Sequence, residues 1–93
     1  MIQRFKDRAT EVVSRGERPR GFPSDLVKIA RRKLGYLDAA IDLRDLRQPP
    51  GNRLEALKGD RQGQYSIRIN DQFRICFRWT PQGPTDVEVT DYH

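Results

Sequence analysis

Residues 65–79 read YSIRINDQFRICFRW, and this stretch decides the fold of the chain. Apolar residues recur at every second position on both sides of a turn at 70–71, namely Tyr65, Ile67 and Ile69 before it and Phe73, Ile75, Phe77 and Trp79 after it. Because side chains alternate between the two faces of a strand, the pattern predicts an antiparallel pair with one apolar face. The opposite face is predicted to carry three arginines, Arg68, Arg74 and Arg78.

Two further strands are predicted on either side of this pair. Residues 53–58 form a candidate strand that is broken by Gly59 and Asp60, and Val87 and Val89 mark a last strand after a turn at 81–84. Strands joined in sequence by short turns are typical of an antiparallel meander with one face on the core.

The N-terminal half has mainly helical periodicity. After a short strand over 2–6, Asp7 is placed to cap a helix that runs to Arg15. Ser24 is the predicted N-cap of a second helix, which continues to 45–47. The apolar stripe of this second helix consists of Leu26, Ala30, Leu34, Leu37 and Ile41.

These elements together predict an α+β fold. Neither helix buries its apolar stripe alone, and the sheet has one apolar face to cover. We therefore expect a single domain over residues 1–93, with two N-terminal helices packed on one face of a small, mainly antiparallel sheet. The arginine-bearing face is expected to stay open to solvent.

The composition favours a polyanionic partner. The chain has 93 residues, a net charge of +5, and 18 basic residues of which only four are lysines. Guanidinium groups bind phosphate through two parallel hydrogen bonds, so an arginine-rich basic domain is typical of nucleic-acid binding.

Several other classes of protein are excluded by the same sequence. No apolar run is long enough to span a bilayer, and the N-terminus lacks the apolar segment of a secretory signal. Cys76 and His93 are the only residues of their types, which argues against a disulfide or a metal site. We expect a cytoplasmic protein without metal or cofactor.

The three arginines of the sheet have two interpretations. Like charges on neighbouring strands repel one another, so the cluster favours a bound phosphate. In the alternative, Glu88 on the last strand pairs with one of them and the cluster is structural. A second basic group, Lys28, Arg31 and Arg32, is interpreted as the solvated outer face of the helix.

The last three residues carry groups suited to proton transfer. Cleavage of RNA requires a base for the 2′-hydroxyl proton and an acid for the departing 5′-oxygen. The imidazole of His93 titrates near neutral pH and is a candidate for one of these roles. The other must come from Asp91, Tyr92, Lys58 or a group outside the protein.

Four blocks of sequence resemble the HigB toxins, the plasmid maintenance system killer branch of the RelE/ParE superfamily. The blocks are RLEALKGDR at 53–61, YSIRIN at 65–70, FRICFRW at 73–79 and DYH at 91–93. The stretch 45–54 resembles the GraT-like members of this family in particular. The resemblance extends over the whole chain and is strongest from Ala39 onward.

This resemblance implies a metal-independent endoribonuclease toxin that cleaves mRNA in the ribosomal A site and is neutralised by a HigA-like helix-turn-helix antitoxin. It implies catalytic roles for Lys58, Arg74, Asp91, Tyr92 and His93. Arg53, Glu55, Arg61, Arg68 and Arg78 are expected to bind the RNA around them. Some family members have a catalytic histidine three residues before the lysine, and Glu55 stands there in this chain, so the acid and base remain unassigned.

Strand parity raises a question about the position of this cluster. Counted from Val87 and Val89, Asp91 and His93 point toward the helices, and so does Lys58 if Leu54 is in the core. Either these strand ends leave regular geometry through a bulge or twist, or the cluster lies at the rim of the sheet. We favour the rim, because both segments end there.

Two other functions remain open at this point. A ParE-like toxin shares the fold but poisons DNA gyrase, and a non-catalytic module would use the arginine face to bind nucleic acid or a partner. The candidate cluster of Lys58 with residues 91–93 favours the nuclease.

Overall fold

Two α-helices precede a four-stranded antiparallel sheet in the computed structural model, which describes residues 1–91. The elements are α1 (Arg8–Ser14), α2 (Ser24–Ala39), β1 (Glu55–Ala56), β2 (Tyr65–Arg68), β3 (Arg74–Thr80) and β4 (Gly83–Thr90). Short 3₁₀ helices occupy Leu43–Arg47, Pro50–Asn52 and Gly59–Arg61. The strand order is β1-β2-β3-β4, with every neighbouring pair antiparallel. The predicted α+β fold is confirmed.

The first helix has the cap that the sequence predicts. The carboxylate of Asp7 accepts a hydrogen bond from the backbone N–H of Thr10 at 2.9 Å, which satisfies one of the free N–H groups of the first turn. The predicted strand over 2–6 is reduced to a single parallel bridge between Phe5 and Val87. This segment nevertheless lies along the β4 edge, since the Lys6 N–H donates to the Val87 carbonyl at 2.9 Å.

The second helix differs from the prediction at both ends. Pro23, not Ser24, is the N-cap, because Ser24 already has helical geometry. The helix ends at Ala39, where the backbone of Ala40 turns extended with ψ of 130°. Asp42 then starts a separate 3₁₀ helix, and its carboxylate accepts from the Arg44 N–H at 2.8 Å. Ile41 is therefore 91% exposed and does not belong to the buried stripe.

The core lies between the helices and the apolar face of the sheet. Four residues of the predicted α2 stripe, Leu26, Ala30, Leu34 and Leu37, are buried there. They pack with Val13 of α1 and with residues from three strands, Ile67, Ile75, Phe77 and Val87. Alternate positions of the sheet thus meet the helical stripe, as the two periodicities require. Among residues 1–91, no helix is both long and apolar enough for a membrane span.

A buried lysine fastens the loop before β1 to α2. Lys33 is 5% exposed, and its ammonium donates a hydrogen bond to the Asn52 side-chain oxygen at 2.6 Å. The amide of Asn52 donates in turn to the carbonyls of Leu46 and Gln48. Burial, with the charges of Arg32 and Arg68 nearby, lowers the pKa of Lys33.

This loop also shortens the first strand. Arg53 follows Asn52 with φ of 45°, a left-handed conformation that interrupts extended backbone. Regular pairing with β2 therefore covers Glu55–Ala56 only, rather than the predicted 53–58.

Candidate active site on the sheet face

Four residues form a row across the sheet on the face away from the helices. Glu55 pairs with Ser66, Ser66 with Cys76, and Cys76 with Glu88. Directly opposed residues share a face, and the neighbouring positions in β2 and β3 point into the core. We call the face that carries this row, together with Arg68, Arg74 and Arg78, the charged face.

The guanidinium of Arg74 is held in place on the charged face. Its Nε donates to the Ser66 hydroxyl at 2.7 Å, and its Nη2 donates to the Arg53 carbonyl at 2.7 Å. The Glu55 carboxylate lies 4.0 Å from the same Nη2. The Arg74 side chain is only 15% exposed, because it lies across β2 toward β1. It is a fixed cation beside an exposed carboxylate.

A second ion-pair group lies at the Glu88 end of the row. The Arg61 Nη1 donates to Glu88 at 2.9 Å, and the Lys6 ammonium lies 3.7 Å from the same carboxylate oxygen. The thiol of Cys76 is buried, and burial raises its pKa to about 11. Cys76 is therefore a protonated thiol at neutral pH and a poor nucleophile.

The charged face is less open than the sequence predicted. Each of the three arginines has a carboxylate within ion-pair distance: Arg68 with Asp71, Arg74 with Glu55 at 4.0 Å, and Arg78 with Asp86 at 3.8 Å. Glu88 pairs with Arg61 and Lys6 rather than with one of the three, so this alternative interpretation is wrong in its choice of partner. Ser66 and Cys76 are fully buried on the same face.

Lys58 and Asp91 do not share one rim of the sheet. Lys58 follows β1 and Asp91 follows β4, and both side chains are exposed. Because β1 and β4 run in opposite directions through the antiparallel order, their final residues lie at opposite ends of the strands. Asp91 accepts a hydrogen bond from the Gln72 amide at 2.9 Å, in the turn between β2 and β3. Both residues lie just outside the strands, but at opposite ends of the sheet rather than together at the favoured rim.

The structure thus unites part of the predicted site. The Arg53 carbonyl, the Glu55 carboxylate and the Arg74 guanidinium meet at one point, and Arg61 lies over the same face. Tyr92 and His93 lie outside the described residues, so their predicted positions are untested. Among residues 1–91, no three histidine, cysteine or acidic side chains converge as metal ligands would.

Sequence reasoning missed two partners of Arg74. Strict alternation places Ser66 on the charged face, so its position was predictable from the sequence. Its role as the acceptor of the Arg74 hydrogen bond was not. The Arg53 carbonyl had no signal in the sequence, since it depends on the left-handed backbone at that residue.

A sequence model of the HigB-like toxins, described as RelE-like toxins of type II toxin-antitoxin systems, matches residues 3–93. The chain belongs to this family. It is 45% identical over 80 residues to Toxin HigB-1 of Vibrio cholerae, covering 85% of this chain and 84% of the relative. It is 28% identical to Endoribonuclease HigB of Proteus vulgaris over the full length of both proteins.

The fold of this HigB-like toxin is also found in a solved structure. A chain of the YoeB-YefM complex from Staphylococcus aureus superposes with a TM-score of 0.62 at 21% identity, covering 100% of this toxin and 98% of that chain. The helices and the four-stranded sheet therefore have the RelE-like arrangement that the sequence predicted.

Proposed function

We propose that this HigB-like toxin is an endoribonuclease that cleaves mRNA in the ribosomal A site and so inhibits translation. The observation that carries the proposal is the fixed Arg74 guanidinium beside the exposed carboxylate of Glu55 on the charged face. The relative from Proteus vulgaris is named an endoribonuclease, which supports the same chemistry here.

Arg74 is suited to bind the scissile phosphate. A guanidinium has five N–H bonds, and residues 1–91 accept hydrogen bonds from two of its nitrogens. In this proposal the remaining N–H bonds donate to two phosphate oxygens, and the two internal bonds hold the group in place before substrate arrives. A donor fixed in advance stabilises charge that develops in the transition state without reorganising during the reaction.

The reaction is an attack of the ribose 2′-oxygen on the adjacent phosphorus. The Glu55 carboxylate, beside Arg74, accepts the 2′-hydroxyl proton as the new oxygen–phosphorus bond forms. The bond from phosphorus to the 5′-oxygen breaks, and that oxygen receives a proton from His93. The products are a 2′,3′-cyclic phosphate and a 5′-hydroxyl.

The other predicted residues have supporting roles in this proposal. Lys58 offsets the charge of the transition state, and Asp91 orients the terminal segment. Tyr92 stacks on an unpaired base, as aromatic side chains do with single-stranded RNA. Phosphates along the strand are bound by other predicted arginines on or beside the charged face, Arg53, Arg61 and Arg68.

The ribosome supplies what so small a site lacks. Cleavage requires the 2′-oxygen, the phosphorus and the leaving oxygen to lie in line, and orientation of this kind is worth several kcal/mol. We propose that the mRNA is held in this geometry in the A site of the cytoplasmic ribosome. A HigA-like helix-turn-helix antitoxin keeps the toxin silent until it is released.

Primer extension on a defined mRNA tests this function. Purified toxin is incubated with the mRNA, with and without programmed ribosomes, beside the His93→Ala variant and a gyrase supercoiling assay. We expect new 5′ ends that require ribosomes and fade in the variant, with gyrase unaffected. No new ends together with inhibited supercoiling would replace the nuclease by a gyrase poison.

A further inference from the structure

A second basic cleft opens beside the proposed active site, at the edge of the sheet. It is lined by Arg4, Lys6, Gln64, Arg78 and Asp86. Three of these side chains are cationic and one is a carboxylate, so the lining is positive overall. The cleft is not part of the Arg74 site, although Arg78 lies four residues along β3 from Arg74.

A bulge in the sheet builds the cleft. Cys76 pairs with Glu88 but Arg78 pairs with Thr85, so β4 has one more residue than β3 in this interval. Asp86 lies in the extra segment with φ of 53°, in the left-handed region. The N-terminal segment pairs alongside, where the Val87 N–H donates to the Arg4 carbonyl at 3.1 Å.

Asp86 gathers two guanidinium groups at one place. It accepts a hydrogen bond from Arg4 Nε at 2.9 Å, and it lies 3.8 Å from Arg78 Nε. The Arg78 guanidinium also lies over Gly63, where a Cβ would come within 2.8 Å of Nη1. The two arginines are therefore held near each other in the lining of the cleft.

The cations of the cleft are not neutralised by these contacts. The side chains of Arg4, Lys6 and Arg78 are 70%, 51% and 46% exposed, and exposed ion pairs are weak. Lys6 shares Glu88 with Arg61, so this carboxylate offsets only part of two positive charges. An anion entering the cleft would meet three cations, the Asp86 carboxylate and the polar side chain of Gln64.

We propose that this cleft binds a second phosphate of the RNA strand, on one side of the phosphate held by Arg74. The proposal rests on the proposed function, since it assigns a subsite for the same substrate. Arg74 and Arg78 lie about 13 Å apart along β3. Their guanidinium groups are held by different partners, Arg74 by Ser66 and Arg53 and Arg78 by Asp86, so each is proposed to bind a phosphate of its own. A continuous strand of phosphates reaches both sites, and the charged face leads from one to the other.

Binding of uncleavable RNA tests the subsite. The probes are fluorescent 2′-O-methyl oligonucleotides, a nonamer and a dinucleotide, because methylation removes the attacking hydroxyl. Affinity is measured by anisotropy between 50 and 200 mM salt for the wild type, Arg78→Gln, Lys6→Gln and Arg4→Gln. Arg20→Gln, an exposed arginine in the loop before α2, is the control with the same change of charge.

We expect each cleft variant to weaken nonamer binding and to reduce the slope of log affinity against log salt by about 0.7, the value for one lost single-strand phosphate contact. Binding of the dinucleotide should not change, nor should binding by Arg20→Gln. Equal nonamer slopes for the cleft variants and Arg20→Gln, or no binding of the nonamer by the wild type, would overturn the subsite. This binding measurement does not require cleavage. If the protein produces no new ends in primer extension but the cleft variants reduce the salt slope as expected, the proposed function is refuted and the subsite is retained.

Discussion

Replacement of Arg74 by glutamine should lower the rate of mRNA cleavage on ribosomes by about 100- to 1,000-fold, the usual cost of removing a fixed donor to developing negative charge. Arg74 is held in advance by hydrogen bonds to Ser66 and Arg53, and its remaining N–H groups are the ones proposed to bind the phosphate. The rate is measured by single-turnover primer extension at saturating toxin, so that weaker ribosome binding does not lower the signal.

Arg74→Lys should restore little of this activity. A lysine has no planar fork and cannot donate to the Ser66 hydroxyl and the Arg53 carbonyl while presenting two donors to a phosphate. Arg32→Gln, at an exposed position of α2, is the matched control and should cleave at the wild-type rate. Thermal melting of each variant separates lost chemistry from lost folding, since the buried Ser66 hydroxyl loses a partner at a cost of about 1–3 kcal/mol. Wild-type cleavage by a folded Arg74→Gln protein would remove Arg74 from the mechanism.

Phe77→Ala should lower the free energy of unfolding by about 3–5 kcal/mol, the range for truncating a fully buried aromatic side chain. Phe77 is completely buried in the central strand β3, and its ring stacks on Tyr65 with centroids 6.1 Å apart. Since domains of this kind are stable by about 5–15 kcal/mol in total, the variant would be largely unfolded at mild denaturant concentrations.

Equilibrium unfolding in urea measures this effect. Phe22→Ala is the control. Phe22 is only half-buried in the loop before α2, so this variant should lose clearly less free energy of unfolding than Phe77→Ala. A loss below about 1 kcal/mol for Phe77→Ala, with an unchanged dependence on urea, would mean that the sheet face toward the helices does not form the core described here.

The parts of the fold set by local periodicity were predictable. Alternation over 65–79 located β2 and β3 and the face that each residue occupies, because a period of two fixes side-chain direction without knowledge of tertiary contacts. The Asp7 cap was readable for a similar reason, since the hydrogen bond reaches only three residues along the chain.

The ends of elements were less predictable, because there two local preferences compete. Ile41 continues the apolar spacing of α2, but Asp42 and Asp45 cap each other's backbone and start a new 3₁₀ helix. These two reciprocal caps, rather than the apolar spacing, decide where α2 ends, and Ile41 is therefore exposed. The end of β1 at Ala56 and the left-handed Arg53 depend on a loop held by Asn52 and Lys33, a contact between residues 19 apart.

The sequence predicted which residues lie on the candidate site's face better than it predicted which of them contact each other. Parity placed Arg68, Arg74 and Arg78 on one face, but their carboxylate partners depend on a turn, a short strand and a bulge. The bulge at Asp86, which builds the second basic cleft, follows from no periodicity or turn residue in the sequence. Lys58 and Asp91 were expected together because both end a strand, while antiparallel order separates those two ends.

The chemistry of the new RNA ends tests the proposed nuclease most directly. Programmed ribosomes carry an mRNA with either a ribonucleotide or a single 2′-deoxynucleotide at the cleaved position, and the fragments are ligated with and without prior phosphorylation. Attack by the 2′-oxygen predicts fragments that ligate only after phosphorylation, since their 5′ ends are hydroxyls, and no cleavage at the deoxynucleotide. Fragments with 5′-phosphates, or equal cleavage at the deoxynucleotide, would contradict this mechanism and the roles proposed for Glu55 and Arg74.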